Sequence, residues 1–139
     1  MVSYARERGF DVHVACAEDL SIFPSESFDL VTCLDVLEHL NHPTLALSEA
    51  YRVLRRRGFL VIPSPNVTRL FRLVRWMWTK FGMDKYWESH NPHLLVYNLW
   101  NQTKTGMSLI ERLRDVGFKP ERTATINWGM MAGVRAVKI

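Results

Sequence analysis

The sequence predicts an α/β protein built on a mostly parallel sheet, and three observations carry that reading. Phe28–Leu34 is a nearly continuous apolar run, as expected of a strand buried on both faces. Leu47, Ala50, Tyr51 and Leu54 recur at i, i+3, i+4 and i+7, which marks one apolar helix face. Phe59–Ile62 is a second short apolar run. Strand, helix and strand in that order make one crossover unit of a parallel sheet. Ligands of open α/β sheets sit outside the carboxyl ends of the strands, so Leu34–His39 and Ser64–Asn66 belong to the mouth of a site.

The remaining elements follow in order. Val2–Arg8 reads as the end of a helix, with Gly9 as its stop. Asp11–Cys16 alternates enough for a strand. Ser21–Ser27 is a loop around Pro24. Pro43 suits a first helical turn, where its missing N–H is unpaired anyway. Gly58 is expected to end that helix. Val67–Phe81 reads as an amphipathic helix, and Gly82–Thr105 as irregular, polar and aromatic. Ser108-x-x-Glu111 is a capping box that opens a helix through Val116, stopped by Gly117. Arg122–Trp128 and Met131–Lys138 read as two strands joined by a tight turn at Gly129.

Composition bounds the class. A chain of 139 residues, 47% hydrophobic and 23% charged, suits one globular domain or most of one. No repeat, low-complexity segment or linker divides it. The two cysteines, Cys16 and Cys33, both fall in predicted strands and read as buried thiols of a reducing compartment. No signal peptide or membrane span is visible. Arg69, Arg72, Arg75 and Lys80 interrupt the most apolar segment, which points to the cytoplasm.

A set of motifs runs through the middle of the chain. They are Ser27-Phe28-Asp29-Leu30-Val31, Val36-Leu37-Glu38-His39-Leu40, Pro43, Glu49, Arg52-Val53-Leu54, Gly58 and Pro65-Asn66. Ala17-Glu18-Asp19-Leu20 extends the match upstream. Ser108-Leu109-Ile110 and Gly117-Phe118 extend it weakly downstream. Together they resemble the class I S-adenosylmethionine-dependent methyltransferases, whose middle section reads sFDlV, vLEHl, RVLkpGG and PN in this order. The resemblance implies a Rossmann-like three-layer α/β sandwich with a C-terminal antiparallel hairpin, and S-adenosylmethionine as cofactor. One departure stands out. The family opens with a strand and a G-x-G-x-G loop, followed by an acidic residue that binds the ribose. No G-x-G occurs in this chain, and Met1 falls where the family has the helix before its third strand. The resemblance therefore implies a single partial domain over 1–139, without the first two strands, in which 66–105 forms a lid.

The same resemblance assigns cofactor contacts. Cys16, Ala17 and Glu18 fall at the adenine edge, with Cys16 where the family usually has an acid. Glu18 is either a substitute acceptor or part of a solvated acidic loop. Leu34, Asp35 and Val36 fall beside the methionine part, touching it mostly through backbone. Asp35 alternatively caps the short helix that follows.

Asp35, Glu38 and His39 share one helical face, a spacing that suits a divalent metal. Leu-Glu-His is widespread in family members without metal, so no metal is assigned. His39 borders the pocket. His93 lies in the segment that covers the site by family analogy, and an imidazole there suits a general base. His39 and His93 are the candidate catalytic residues, although methyl transfer to a nucleophilic acceptor needs little acid–base help.

The run Arg52–Met83 carries eight basic residues and no acidic one. Its second half, 67–81, suits a lid over a lipophilic small molecule or contact with an anionic membrane surface. No nucleic-acid motif is present. An open sheet edge is expected to drive homodimer formation. The function this sequence implies is methyl transfer to a small-molecule acceptor. The alternative is a non-catalytic remnant or interaction module that keeps the fold.

Overall fold

The computed structural model describes residues 2–65, 108–126 and 131–139, together with Leu73, Trp76, Met77 and 80–82. One mixed sheet organises them. Its strands are β1 (Phe28–Thr32), β2 (Leu54–Pro65), β3 (Phe118–Ile126) and β4 (Met131–Lys138). Their spatial order is β1-β2-β4-β3. β1 and β2 run parallel and are joined by helix α2 (Pro43–Val53), so the predicted crossover unit is present. A short helix α1 (Val2–Glu7) precedes them. β3 and β4 form the expected antiparallel hairpin, and β4 inserts between β3 and β2.

Local chemistry sets the helix ends. Pro43 occupies the first turn of α2, as its fixed φ favours. Helix α3 (Leu109–Val116) begins with the predicted capping box. The Glu111 N–H donates to Ser108 Oγ at 3.3 Å, and the Ser108 N–H donates to Glu111 Oε2 at 2.7 Å. Gly117 ends α3 at φ +108, and any Cβ there would lie 3.2 Å from the Tyr51 ring.

The core lies between one sheet face and helices α2 and α3. Leu47 from α2, Leu109 and Leu113 from α3, Leu60 and Ile62 from β2, and Val134 from β4 meet there, all buried. Burying each such side chain contributes about 1.5–3 kcal/mol. Among the described residues, helices cover this face alone.

Four expectations are corrected. Phe28–Leu34 is not buried on both faces. Its strand spans Phe28–Thr32 at the sheet's edge, with Leu30 53% exposed beside the half-exposed Phe59. Only alternate residues, such as Val31, turn toward the core, because only one face has helices over it.

Asp11–Cys16 forms no strand. It has no ladder partner among the described residues and is anchored by edge-to-face contacts of His13 with Phe23 and of Phe23 with Phe28. Its alternation is real, but a strand needs a neighbour to satisfy its backbone. Cys16 is consequently exposed and Cys33 half-buried, so neither is the fully buried thiol expected.

Gly58 does not end α2. The helix stops at Val53, where Leu54 turns to extended geometry while its N–H still donates to the Ala50 carbonyl. β2 advances from Leu54 to Phe59 while β1 advances only from Phe28 to Leu30, so Arg55–Gly58 bulge from the ladder. Close approach is what fixes glycine at 58, since a Cβ would come within 2.9 Å of the Arg55 carbonyl oxygen. The fourth correction concerns the hairpin. β3 starts at Phe118, directly after Gly117, rather than at Arg122. Residues 127–130, which include the expected turn at Gly129, lie outside the described residues.

Candidate functional site

β1 leads out of the sheet at its carboxyl end through Leu34 and Asp35. Asp35 takes φ +49, a left-handed turn that asparagine and aspartate tolerate better than most residues. Its carboxylate is exposed. A single 3-10 turn, Leu37–His39, follows, with Leu37 buried as its anchor and the His39 N–H donating to the Val36 carbonyl at 3.0 Å. Val36 stands before this turn and makes no side-chain cap. The Asp35 capping role therefore has no counterpart in the described hydrogen bonds.

The other half of the site is the tight turn Cys16–Asp19, closed by the Asp19 N–H on the Cys16 carbonyl at 3.0 Å. Ala17 packs against the core. Glu18 Oε1 accepts from the His42 N–H at 2.9 Å, immediately before α2. That bond joins the two halves: it ties the Cys16–Asp19 turn to the Leu34–His42 segment. It also gives Glu18 a structural duty at the start of a helix, where orphan N–H groups need acceptors.

Sequence reasoning missed the clamp that holds the loop after this turn. Arg52 and Glu49, one helical turn apart on α2, make a bidentate pair at 2.9 Å for both bonds. Arg52 also donates to the carbonyls of Leu20 at 2.8 Å and Phe23 at 3.0 Å. Glu49 Oε2 accepts from the Leu20 N–H at 2.8 Å. The Arg52 guanidinium holds the Glu49 carboxyl below the usual glutamate value, helped by the Leu20 N–H, and burial opposes this. Glu49 in turn raises Arg52. Nearby, hydrogen bonds from the Ser21 side chain and backbone depress Asp19. The Glu-x-x-Arg spacing was visible in the sequence, but its backbone partners lie some thirty residues away and carry no motif.

The structure thus brings Cys16, Ala17 and Glu18 beside the chain leading from Leu34, Asp35 and Val36 to His42. His39 is exposed on the same segment. His93, the side chain of Glu38 and most of 66–107 lie outside the described residues. Among the described residues, no three His, Cys, Asp or Glu side chains gather as metal ligands. Among them, too, no helix is long and apolar enough to cross a membrane. The arrangement offers two adjoining backbone turns with exposed polar groups at the carboxyl end of β1. Such an edge suits a ligand held chiefly through backbone groups.

Comparison with known proteins agrees with this geometry. A model of the methyltransferase domain matches residues 1–62. A ubiquinone biosynthesis O-methyltransferase from Xanthomonas oryzae pv. oryzae is 38% identical over 58 residues, covering 42% of this chain and 24% of that protein. The match thus spans about a quarter of the length of the curated relatives. Among solved structures, a SAM-dependent methyltransferase from Thermotoga maritima aligns with 100% of this chain and 69% of its own, at a TM-score of 0.74 and 22% identity. The [4+2]-cyclase SpnF aligns with 98% of this chain and 60% of its own, at a TM-score of 0.64 and 17% identity. These structural likenesses concern the fold. Taken with the sheet order, they show that the chain has the Rossmann-like fold of SAM-dependent methyltransferases, and its residues 1–62 are similar to the methyltransferase domain.

Proposed function

We propose that this chain is part of an S-adenosylmethionine-dependent methyltransferase acting on a small, lipophilic molecule. The hydrogen bond from the His42 N–H to Glu18 is the observation that supports this best. It closes the two turns into one edge at the place where open α/β sheets bind ligands. On this reading Cys16, Ala17 and Glu18 face the adenine, and Leu34, Asp35 and Val36 face the methionine end. The cofactor, when bound, supplies a methyl group activated on a positive sulfur. This chain's own residues orient the acceptor and keep water away from it. His39, and His93 from the covering segment, receive the proton that an oxygen or nitrogen acceptor releases. A relative named as an O-methyltransferase supports an oxygen acceptor. Exposed Leu73, Trp76 and Met77 support contact with an apolar one.

The residues present fit only part of the cofactor. No G-x-G lets the backbone approach it closely, and Cys16 stands where an acidic acceptor is expected. The 139 residues should therefore bind S-adenosylmethionine weakly. Titration followed by amide NMR checks this, with shifts expected at 16–18 and 34–36 only. A dissociation constant near 1 µM, about −8 kcal/mol, would mean that another segment replaces the glycine loop. The second reading is a non-catalytic module that keeps the fold. Complete absence of shifts at both turns, at millimolar cofactor, would select it.

A further inference from the structure

The bulge at the start of β2 holds three successive arginines, Arg55, Arg56 and Arg57. The family pattern at this bulge is k-p-G-G, so Arg56 stands in place of proline and Arg57 in place of the first glycine. Arg57 takes φ +64. That region disfavours any residue with a Cβ, and glycine enters it freely. Keeping a strained arginine where glycine would relax the bulge points to a use for its side chain.

The charges around it suggest the use. Arg55 is neutralised by Asp29 at 2.8 Å. Arg56 and Arg57 are exposed and have no ion-pair partner among the described residues. They line an open groove of about 500 Å³ with Lys119 of β3, which is likewise exposed and unpaired among the described residues. That volume is in the range of small-molecule sites. Lys138 also lines the groove and is fixed: its Nζ donates to the Leu54 carbonyl at 2.7 Å and lies 3.4 Å from Glu26. Glu121, the acidic side chain on the rim, is engaged by Arg135 at 2.8 Å. Arg56, Arg57 and Lys119 thus line one concavity, together with Val137 and Ile139, and have no ion-pair partner among the described residues. The concavity sits at the start of β2, the end of the strand away from the candidate site, and does not depend on the methyl-transfer reading.

We infer that this groove binds a phosphate-bearing ligand, through Arg56, Arg57 and Lys119. Guanidinium forks match phosphate oxygens in pairs, and a lysine adds a point charge. The phosphate belongs either to a free small molecule or to a lipid headgroup.

Titration with inorganic pyrophosphate at moderate salt, followed by amide NMR, tests the site. Shifts should cluster at 55–58, 119 and 137–138. Arg56→Glu with Arg57→Glu should weaken binding by about tenfold or more, since it reverses two charges at close range. Arg57→Gly is the sharper variant. It should weaken binding several-fold while raising the melting temperature by about 2–4 °C, because glycine relieves the bulge. Unchanged pyrophosphate affinity in Arg57→Gly would overturn the inference. So would an equal loss in Arg8→Glu, a charge reversal just after α1 and outside the groove, because binding would then be non-specific attraction. Vesicles of phosphatidylcholine doped with a phosphoinositide, compared with vesicles of equal charge made with phosphatidylserine, separate the sources. Recruitment by the phosphoinositide alone assigns a headgroup. Pyrophosphate binding without recruitment assigns a free phosphate.

Discussion

β1 and β2 are parallel neighbours of similar composition, yet they live in different surroundings. Leu60 and Ile62 of β2 are 0% and 1% exposed, while Leu30 of β1 is 53% exposed. The difference lies first in the face: Leu60 and Ile62 point to the helix-covered side, whereas Leu30, level with the half-exposed Phe59 of β2, points to the other. β2 has a strand on each side and helices over its core-facing row. β1 has a strand on one side, and its outward row of Phe28, Leu30 and Thr32 meets no described helix. An apolar run says that a strand can be buried, and its neighbours decide whether it is.

Truncation should expose this contrast most strongly. Leu60→Ala or Leu113→Ala should cost about 2–5 kcal/mol by urea unfolding, because each leaves a cavity in a closed core. Leu30→Ala should cost less than about 1 kcal/mol. Equal losses at Leu30 and Leu60 would show that β1 is covered in solution.

The clamp on α2 comes next. Arg52→Ala removes a multiply bonded guanidinium and should lower the urea midpoint, by freeing the Leu20–Phe23 loop from α2. Its pH dependence has a definite sign. Glu49 titrates below its usual value in the fold, so its contribution is complete above the unfolded glutamate value near 4.5. It is lost as pH falls through the depressed folded value. Glu49→Gln should lower stability at neutral pH and flatten the pH dependence on the acid side of the unfolded glutamate value. A variant that keeps the parent slope in acid would remove Glu49 from the account.

The α3 cap is smaller still. Ser108→Ala should cost about 1 kcal/mol, measurable as a shift in the urea midpoint. The smallest effect on stability belongs to the open strand. Leu30→Lys should change stability by less than about 0.5 kcal/mol, since the site is already half in water. We propose that the exposed edge of β1 pairs two copies of the chain. The lysine should then suppress concentration-dependent association in light scattering. Association unchanged by Leu30→Lys would move the contact elsewhere.

Much of this architecture was legible in the residues, and the failures have a common cause. The crossover unit, the Ser108–Glu111 capping box, the Gly117 stop and the terminal hairpin are each set by neighbours close in sequence. The misreadings depended on partners far away. Asp11–Cys16 alternates like a strand but finds no ladder. Gly58 looked like a helix stop, and its real constraint is close approach to two carbonyl oxygens, that of Arg55 at 2.9 Å and that of Asp29 on the neighbouring strand at 3.0 Å. In the candidate site, the sequence singled out both segments, but the duty of Glu18 toward His42 has no signature in either. The expected lid over 66–105 and the role of His93 fall on residues whose structure is not described.

The insertion of β4 between β2 and β3 has a consequence for how the chain is made. Among the described residues β3 pairs only with β4, and reaches β2 only through it. On a translating ribosome, β3 emerges before the strand it needs, with its ladder groups unpaired. Lys138 then reaches back 84 residues to the Leu54 carbonyl. Such long-range closure is slow, because chain entropy is lost before contacts compensate. Nascent chains stalled before residue 131 has emerged should be cleaved readily by protease in β3. Chains released past residue 139 should resist cleavage there.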